Sequence, residues 1–315
     1  MKRYCFSLWA MMFLQISATA QPVKQMGQLQ VIGTQLSDAH GRPAQLKGMS
    51  FGWSCFHPRF YTAGAVRELK EKWHCNVVRA AMGVEPKEGY LDDPERSFRL
   101  VKTVVDAAIK NGIYVIVDWH SHNIHTSKAR DFFVRIAKAY KNYPNIIYEI
   151  FNEPDQETWQ EVKGYADTVI AAIRAVDPDN IILVGSPHWD QHLHFAADDP
   201  IKGFDNIMYT MHFYAGTHKK ELRDRTDEAI EKGLPVFVSE SGGMLATGDG
   251  PIDQQEWEAY IQWMKQRKLS WLTWSVSDKD ETCSVLEKTA GSEGGWKESD
   301  IKDSGKMAKA YLKDF

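Results

Sequence analysis

From residue 46 onward, short unbroken apolar runs take turns with longer stretches of mixed polarity. An unbroken run suits a parallel strand that is covered on both faces and has no solvent side to alternate toward. Such runs fall at residues 46–50, 76–81, 114–119, 146–151, 181–185, 206–213, 235–240 and 270–275. The mixed stretches predict helices over 63–72, 94–111, 128–141, 159–176, 219–232, 253–267 and 304–312. Gly112 and Gly233 follow two of these helices as C-terminal stops, and Asp177-Pro178 ends a third. Eight strand–helix units in one run imply a parallel sheet, and eight strands close a (β/α)8 barrel. An open doubly wound sheet is the rival. The barrel is preferred because chemically promising residues follow strands at positions all around the series. Ahead of the first strand, residues 29–33 and 44–47 read as a hairpin turning at Asp38-Ala39-His40-Gly41, placed to plug the bottom of the barrel.

Two runs end in a glutamate. Ile146 to Phe151 leads into Asn152-Glu153-Pro154, and Val236-Phe237-Val238-Ser239 leads into Glu240. Pro154 has no N–H to give a ladder, so the strand must stop before it. Both glutamates are thereby delivered to the carboxyl ends of strands, where barrels place their active sites. An isolated glutamate is ordinarily a solvated surface group. A pair that closes two buried strands is what a retaining glycosidase needs, with one carboxyl to attack and one to handle the proton.

Composition narrows the setting. The 315 residues are 43% hydrophobic and 25% charged, ordinary for a globular protein. Eleven tryptophans are many, and aromatic faces are common where flat ligands such as sugars dock. Residues 1–20 have the form of a secretory signal: Lys2 and Arg3, an apolar stretch from Tyr4 to Ile16, then Ala18-Thr19-Ala20. The expected mature chain starts near Gln21 as one catalytic domain over 21–315, secreted to the extracellular space, monomeric, and with no membrane segment. Losing Lys2 and Arg3 leaves 36 basic residues of the original 38 against 42 acidic ones, so the formal charge moves from −4 to −6. A nucleic-acid partner, which wants a basic footprint, is therefore not expected. Cys55, Cys75 and Cys283 would remain; one pair could form, and the sequence leaves open which. His120, His122 and His125 share one loop, and His188, His192 and His194 another. Neither spacing implies a metal site, and double displacement needs neither metal nor cofactor.

Taken together, Arg79 in Val-Val-Arg-Ala, His120 in Asp-Trp-His-Ser, Asn152-Glu153-Pro154, His212-Phe213-Tyr214, Ser239-Glu240 and Trp274-Ser275 resemble glycoside hydrolase family 5. The phrases around residues 76–83, 118–122 and 274–281 resemble its subfamily 2 endo-β-1,4-glucanases, and the likeness runs from about residue 29 to the end. The resemblance implies Glu153 as acid/base and Glu240 as nucleophile. It implies Asn152 at the 2-hydroxyl of the sugar being cleaved, Arg79 and Tyr214 beside the nucleophile, and His212 beside the acid/base. It implies His120 as a wall of that subsite, Trp274 as its floor, and Lys279 and Glu281 at the next sugar toward the non-reducing side. Trp189 resembles a stacking residue on the leaving-group side, and Tyr90 is placed to touch the non-reducing side. Trp53 and Phe56 are further candidates for the cleft wall. Many subfamily members carry a histidine just after the first strand, where this chain has Gly48-Met49-Ser50-Phe51-Gly52-Trp53. The implied activity is endo-cleavage of cellulose or a related β-glucan, with soluble or amorphous substrate handled better than crystalline. The acid/base should have a raised pKa and the nucleophile a lowered one through Arg79. The rivals are a β-glycanase for mannan, xyloglucan or mixed-linkage glucan, and a non-catalytic carbohydrate-binding barrel.

Overall fold

The computed structural model describes residues 21–314, so the expected leader lies outside the described residues. Ten strands are present among the described residues. A small antiparallel pair, β1 (Gln30–Ile32) and β2 (Gln35–Ser37), precedes eight others. These are β3 (Lys47–Phe51), β4 (Val77–Gly83), β5 (Tyr114–His120), β6 (Ile146–Glu149), β7 (Ile181–Val184), β8 (Ile207–Tyr214), β9 (Val236–Gly242) and β10 (Trp271–Val276). They pair in parallel in chain order, and β10 closes on β3. The molecule is a (β/α)8 barrel.

The helices are α1 (Pro22–Met26), α2 (Ala63–Lys72), α3 (Pro94–Asn111), α4 (Thr126–Tyr140), α5 (Trp159–Arg174), α6 (Pro187–Asp190), α7 (Leu193–Asp198), α8 (Lys220–Glu231), α9 (Gln254–Arg267) and α10 (Asp303–Asp314). Their starts are set by local chemistry. Thr62, Asp93 and Asp253 each accept a backbone N–H of the first turn, and Thr158 with Glu161 forms a reciprocal capping box. Gly112 takes a left-handed conformation after α3 (φ 67°), which a residue without Cβ adopts at no steric cost. Gly48 serves a different need: a Cβ there would stand 1.8 Å from the Val77 carbonyl oxygen, so only glycine lets β3 lie against β4.

Side chains alternate along each strand, and the lumen-facing set changes character along the barrel axis. At the amino-terminal ends it is apolar: Val77, Tyr114, Ile116, Ile147, Leu183, Met208, Phe237 and Leu272 pack together with Leu29, Leu36 and Leu46. At the carboxyl ends the same faces carry Arg79, Asp118, His120, Glu149, Thr210, His212 and Tyr214, all buried. The opposite faces pack against the helices in a larger apolar layer. One end of the barrel is thus a sealed core and the other a polar basin.

Two expectations are corrected. The hairpin plugs the bottom of the barrel, but it turns at Gly33-Thr34, not at residues 38–41, and pairs Gln30 with Ser37. Asp38 instead organises the next loop, accepting from the N–H groups of His40 and Arg42. The β6 ladder ends at Glu149, two residues before the expected Phe151. Beyond it, the Asn152 and Glu153 N–H groups donate to the carbonyls of Trp119 and Ser121, which carries this segment across the end of β5.

Candidate active site

The polar basin opens into a cleft of about 570 Å³ across the carboxyl ends of the strands. Glu153, just past β6, and Glu240, inside β9, enter it from opposite sides. A carboxylate oxygen of each lies within 4.8 Å of the other and of a ring nitrogen of His212. A separation near 5 Å leaves room for a sugar carbon to be reached by one carboxyl while the other touches its substituent.

Arg79, fully buried, organises the floor. Its guanidinium donates to Glu149 Oε2 (2.6 Å), Asn152 Oδ1 (2.6 Å) and Glu240 Oε2 (2.9 Å), and lies 3.0 Å from Asp118 Oδ2. Five fixed donors suit several planar acceptors at once. The Tyr214 hydroxyl donates to the other oxygen of Glu240 (2.6 Å). With its oxygen held by Arg79, the Asn152 side chain keeps a buried Nδ2 without a hydrogen-bond partner. A buried, unpaired N–H₂ is costly unless it is reserved for something that arrives later.

His212 sits beneath Glu153, its Nδ1 2.8 Å from Glu153 Oε1 and its Nε2 2.8 Å from Ser239 Oγ. His120 has Nδ1 2.7 Å from Asp118 Oδ2 and stacks on Trp274 with ring centroids 5.0 Å apart and planes 5° from parallel. Burial, reinforced by the Arg79 charge, pushes His120 well below the ordinary histidine range and keeps it neutral.

The expected ordering of the two carboxyls is reversed in the free site. Burial pushes Glu240 up, with the Glu153 charge adding to it, and His212, Arg79 and Tyr214 only partly offset this. Burial acts on Glu153 too, but the hydrogen bond and charge of His212 bring it below the ordinary glutamate range. Arg79, shared with Glu149 and Asp118, pulls Glu240 down, but burial and the Glu153 charge outweigh it.

His120, Glu153, Trp189, His212, Tyr214, Glu240, Trp274, Lys279 and Glu281 all line the cleft, with Arg79 and Asn152 buried under its floor. Lys279 and Glu281 face each other as an ion pair (2.5 Å) at one edge. Tyr90 is the exception. Its ring packs on Trp119 and Phe132 in the helix-facing core, where burial raises its phenol, and it does not reach the cleft. Trp53, Phe56 and His57 line the wall after β3, the region where the sequence lacks the expected histidine.

Glu149, Asp118, Asp190, Ser239, His122 and His218 belong to this site and were not anticipated. For Glu149 and Asp118 a signal existed: each stands two residues after a lumen-facing apolar residue, Ile147 and Ile116. His218, pushed down to about 4 by burial, accepts the Tyr214 N–H through Nδ1 (2.9 Å). Among the described residues, Cys55, Cys75 and Cys283 are all buried and form no disulfide. The closest approach to a cation-binding set among the described residues is Glu153, His212 and Glu240. Neighbouring carboxylates push His212 well above the ordinary histidine range. A metal there would have to displace the proton that these carboxylates favour on His212.

The cellulase family model (glycosyl hydrolase family 5) matches residues 37–280. An endoglucanase of Clostridium saccharobutylicum is 41% identical over 293 residues, covering 91% of this chain and 65% of that protein. Endoglucanase Z of Dickeya dadantii is 42% identical over 267 residues, covering 84% of this chain and 60% of that one. The chain therefore spans less than two thirds of the length of these relatives. Among solved structures, a variant of the catalytic domain of Thermobifida fusca endoglucanase Cel5A in complex with cellotetraose superposes with a TM-score of 0.88 at 34% identity, covering 93% of this chain and 100% of that one.

Proposed function

The chain belongs to the cellulase family, glycosyl hydrolase family 5, and on that premise we propose that it is an endo-β-1,4-glucanase of subfamily 2 that cleaves cellulose and related β-glucans with retention. The observation that carries this reading is the facing pair Glu153 and Glu240, within 4.8 Å of each other on an open cleft. That spacing favours double displacement over the inverting route, which needs about 6.5–9.5 Å to seat a water. Glu240 attacks the anomeric carbon while Glu153 gives its proton to the departing glycosidic oxygen. The carbon–oxygen bond breaks and a glycosyl ester with Glu240 forms. Glu153, now a carboxylate, takes a proton from water, and the hydroxide so generated displaces Glu240 from the same face of the sugar that the leaving group occupied. The unpaired Asn152 Nδ2 is suited to the 2-hydroxyl, a bond that strengthens as oxocarbenium character develops. Trp274 offers a floor for the reacting sugar, Trp189 a platform on the leaving-group side, and the Lys279–Glu281 pair polar contacts at the next sugar. Two carboxyls this close titrate as a pair, and the reactive state is the one that shares a single proton.

The likeness to endoglucanases favours β-1,4-glucan over mannan, xyloglucan or mixed-linkage glucan. We further propose that the protein is secreted after loss of residues 1–20 and acts as a monomer. Amino-terminal sequencing of the exported chain should begin at or near Gln21. The deciding assay compares viscosity with reducing-end release on carboxymethyl cellulose, with Glu240→Ala alongside. The expected result is a fast viscosity drop with few new ends, reduced at least about 10³-fold in the variant. Inactivity of the native chain on this substrate alongside turnover of mannan would replace the substrate. A first-formed α-anomer in NMR of the products would overturn retention.

A further inference from the structure

His188, Trp189 and Asp190 follow one another in the left-handed region, with φ of 62°, 53° and 61°. For residues with a Cβ this costs about 1–2 kcal/mol each, so the turn needs an anchor. Asp190 is that anchor. It is fully buried, accepts the Ser186 N–H on Oδ1 (2.5 Å) and accepts the Thr210 hydroxyl on Oδ2 (2.7 Å). An asparagine could accept the Ser186 N–H at a lower desolvation cost than a buried carboxylate. The carboxylate has a third neighbour that accounts for its charge: Oδ2 lies 3.3 Å from His212 Nε2. His212 thus has Asp190, the more distant Glu149 (3.8 Å) and its hydrogen-bond partner Ser239 on the Nε2 side, and Glu153 on the Nδ1 side.

We infer that Asp190 is a positioning residue for Glu153, holding His212 as an imidazolium whose Nδ1–H is donated to Glu153 Oε1. The inference rests on the reading of Glu153 as the acid/base. Its chemical consequence is a choice of oxygen. An Oε1 that already accepts Nδ1–H is a poor place for the acid's own proton, which therefore sits on Oε2. That oxygen lies 3.7 Å from His122, another residue of the cleft lining. The charge count around His212 agrees. Glu149 and Glu153 face it from β6 and the segment beyond, Asp190 from the turn after β7, and Glu240 from β9. Asp118 on β5 and His218 at the cleft edge lie within electrostatic reach, and Arg79 is committed to Asp118, Glu149 and Glu240. His212 is the second group, after Arg79, that can set positive charge against these carboxyls. Burial pushes Asp190 well up, and the His212 charge offsets part of this.

The experiment is ¹⁵N NMR of the His212 ring in the native protein, combined with kinetics of Asp190→Asn on cellotetraose and on 2,4-dinitrophenyl β-cellobioside. The native ring should carry hydrogen on both nitrogens at pH 7; a neutral ring there overturns the inference even if the variant fails to fold. In Asp190→Asn, kcat/KM on cellotetraose should fall about tenfold or more, and on the dinitrophenyl substrate, whose leaving group needs no acid, by less than about threefold. A neutral His212 no longer pulls Glu153 and Glu240 down, so both limbs of kcat/KM should move to higher pH. Equal losses on both substrates with both limbs unmoved would assign Asp190 to the turn alone. Glu153→Ala is the control: if it fails to separate the two substrates, the acid/base reading itself falls; if it separates them and Asp190→Asn does not, only the present inference falls.

Discussion

Arg79 gathers three buried carboxyl groups around one guanidinium. It sits in β4 with no exposure and touches Asp118, Glu149 and Glu240. Removing one partner of a buried ion group leaves the rest uncompensated and typically costs about 3–5 kcal/mol. Arg79→Met, similar in length and uncharged, is therefore expected to lower unfolding free energy by that amount in urea titrations at pH 7 as well as to lose activity. Tyr214 acts on one oxygen of Glu240 and favours its charged form. Tyr214→Phe removes that preference, so the Glu240 carboxyl rises further above its already raised position. The nucleophile must be ionised to attack. Because Glu240 stands above Glu153 in the free site, loss of its proton sets the alkaline limb of kcat/KM, which should shift to higher pH with the acid limb moving less. A limb that moved downward would contradict the assignment of Glu240 as the nucleophile. At this scale the sequence revealed which residues were chemical but not what each would feel. Glu240 next to an arginine promised a low pKa. The structure divides that arginine among three carboxylates, and burial prevails.

At the scale of elements, the strands report their role through the polarity of alternate residues. Val77–Arg79–Ala81 and Ile147–Glu149 are each apolar toward the bottom of the lumen and polar or small toward the mouth. The hairpin β1–β2 belongs to the apolar end, with Leu29 and Leu36 buried against Tyr114, Ile147 and Phe237. Leu36→Ala should cost about 2–5 kcal/mol, the range for a leucine removed from a core that only partly closes over the gap. It should leave KM unchanged, since the plug lies at the opposite end of the barrel from the cleft. A changed KM would mean that the two ends are coupled. Helix positions were legible because capping residues and glycines mark their ends: 63–72 and 94–111 were read to the residue. The hairpin turn was misread because Asp38 and Gly41 make an equally good turn in isolation. Only the packing of Leu29 and Leu36 under the barrel selects Gly33-Thr34. The short helices α6 and α7 were not anticipated either, since a four-residue helix containing left-handed residues has no periodic signature.

Across the whole molecule, the cleft runs over the barrel mouth from the Trp53–Phe56 wall after β3 to Trp189 after β7. Phe56 is 59% exposed and Trp189 is 37% exposed, and both stand on the cleft lining, where a ligand can cover them. A chain long enough to touch both would span several sugars. Phe56→Ala and Trp189→Ala should each weaken kcat/KM on cello-oligosaccharides by about fivefold, the worth of one aromatic stack, and the double variant by about the product. The two sites share no contact, so additivity is the expectation. A strongly smaller combined effect in isothermal binding or kinetics would show that one oligosaccharide does not engage both ends.

The sequence by itself determined the barrel, because eight doubly covered strands in series have few other ways to bury themselves, and it marked the two glutamates by where their strands end. It marked Arg79, Asn152, His212 and Tyr214 as well, through motifs whose order along the chain matches one family. Other features depended on distances between segments far apart in the chain. Tyr90 follows a strand end just as Trp53 does, yet it turns into the core because Trp119 and Phe132 offer it a buried seat. Glu149 and Asp118 became part of the site only when β4, β5 and β6 aligned in register and brought them to one guanidinium. Asp190 reaches His212 only through a left-handed turn that no local propensity favours. Periodicity and motif are local properties that survive in a linear chain. The sharing of one charge among several carboxyls is not local, because it depends on which buried groups the closed barrel places within a few ångströms of each other.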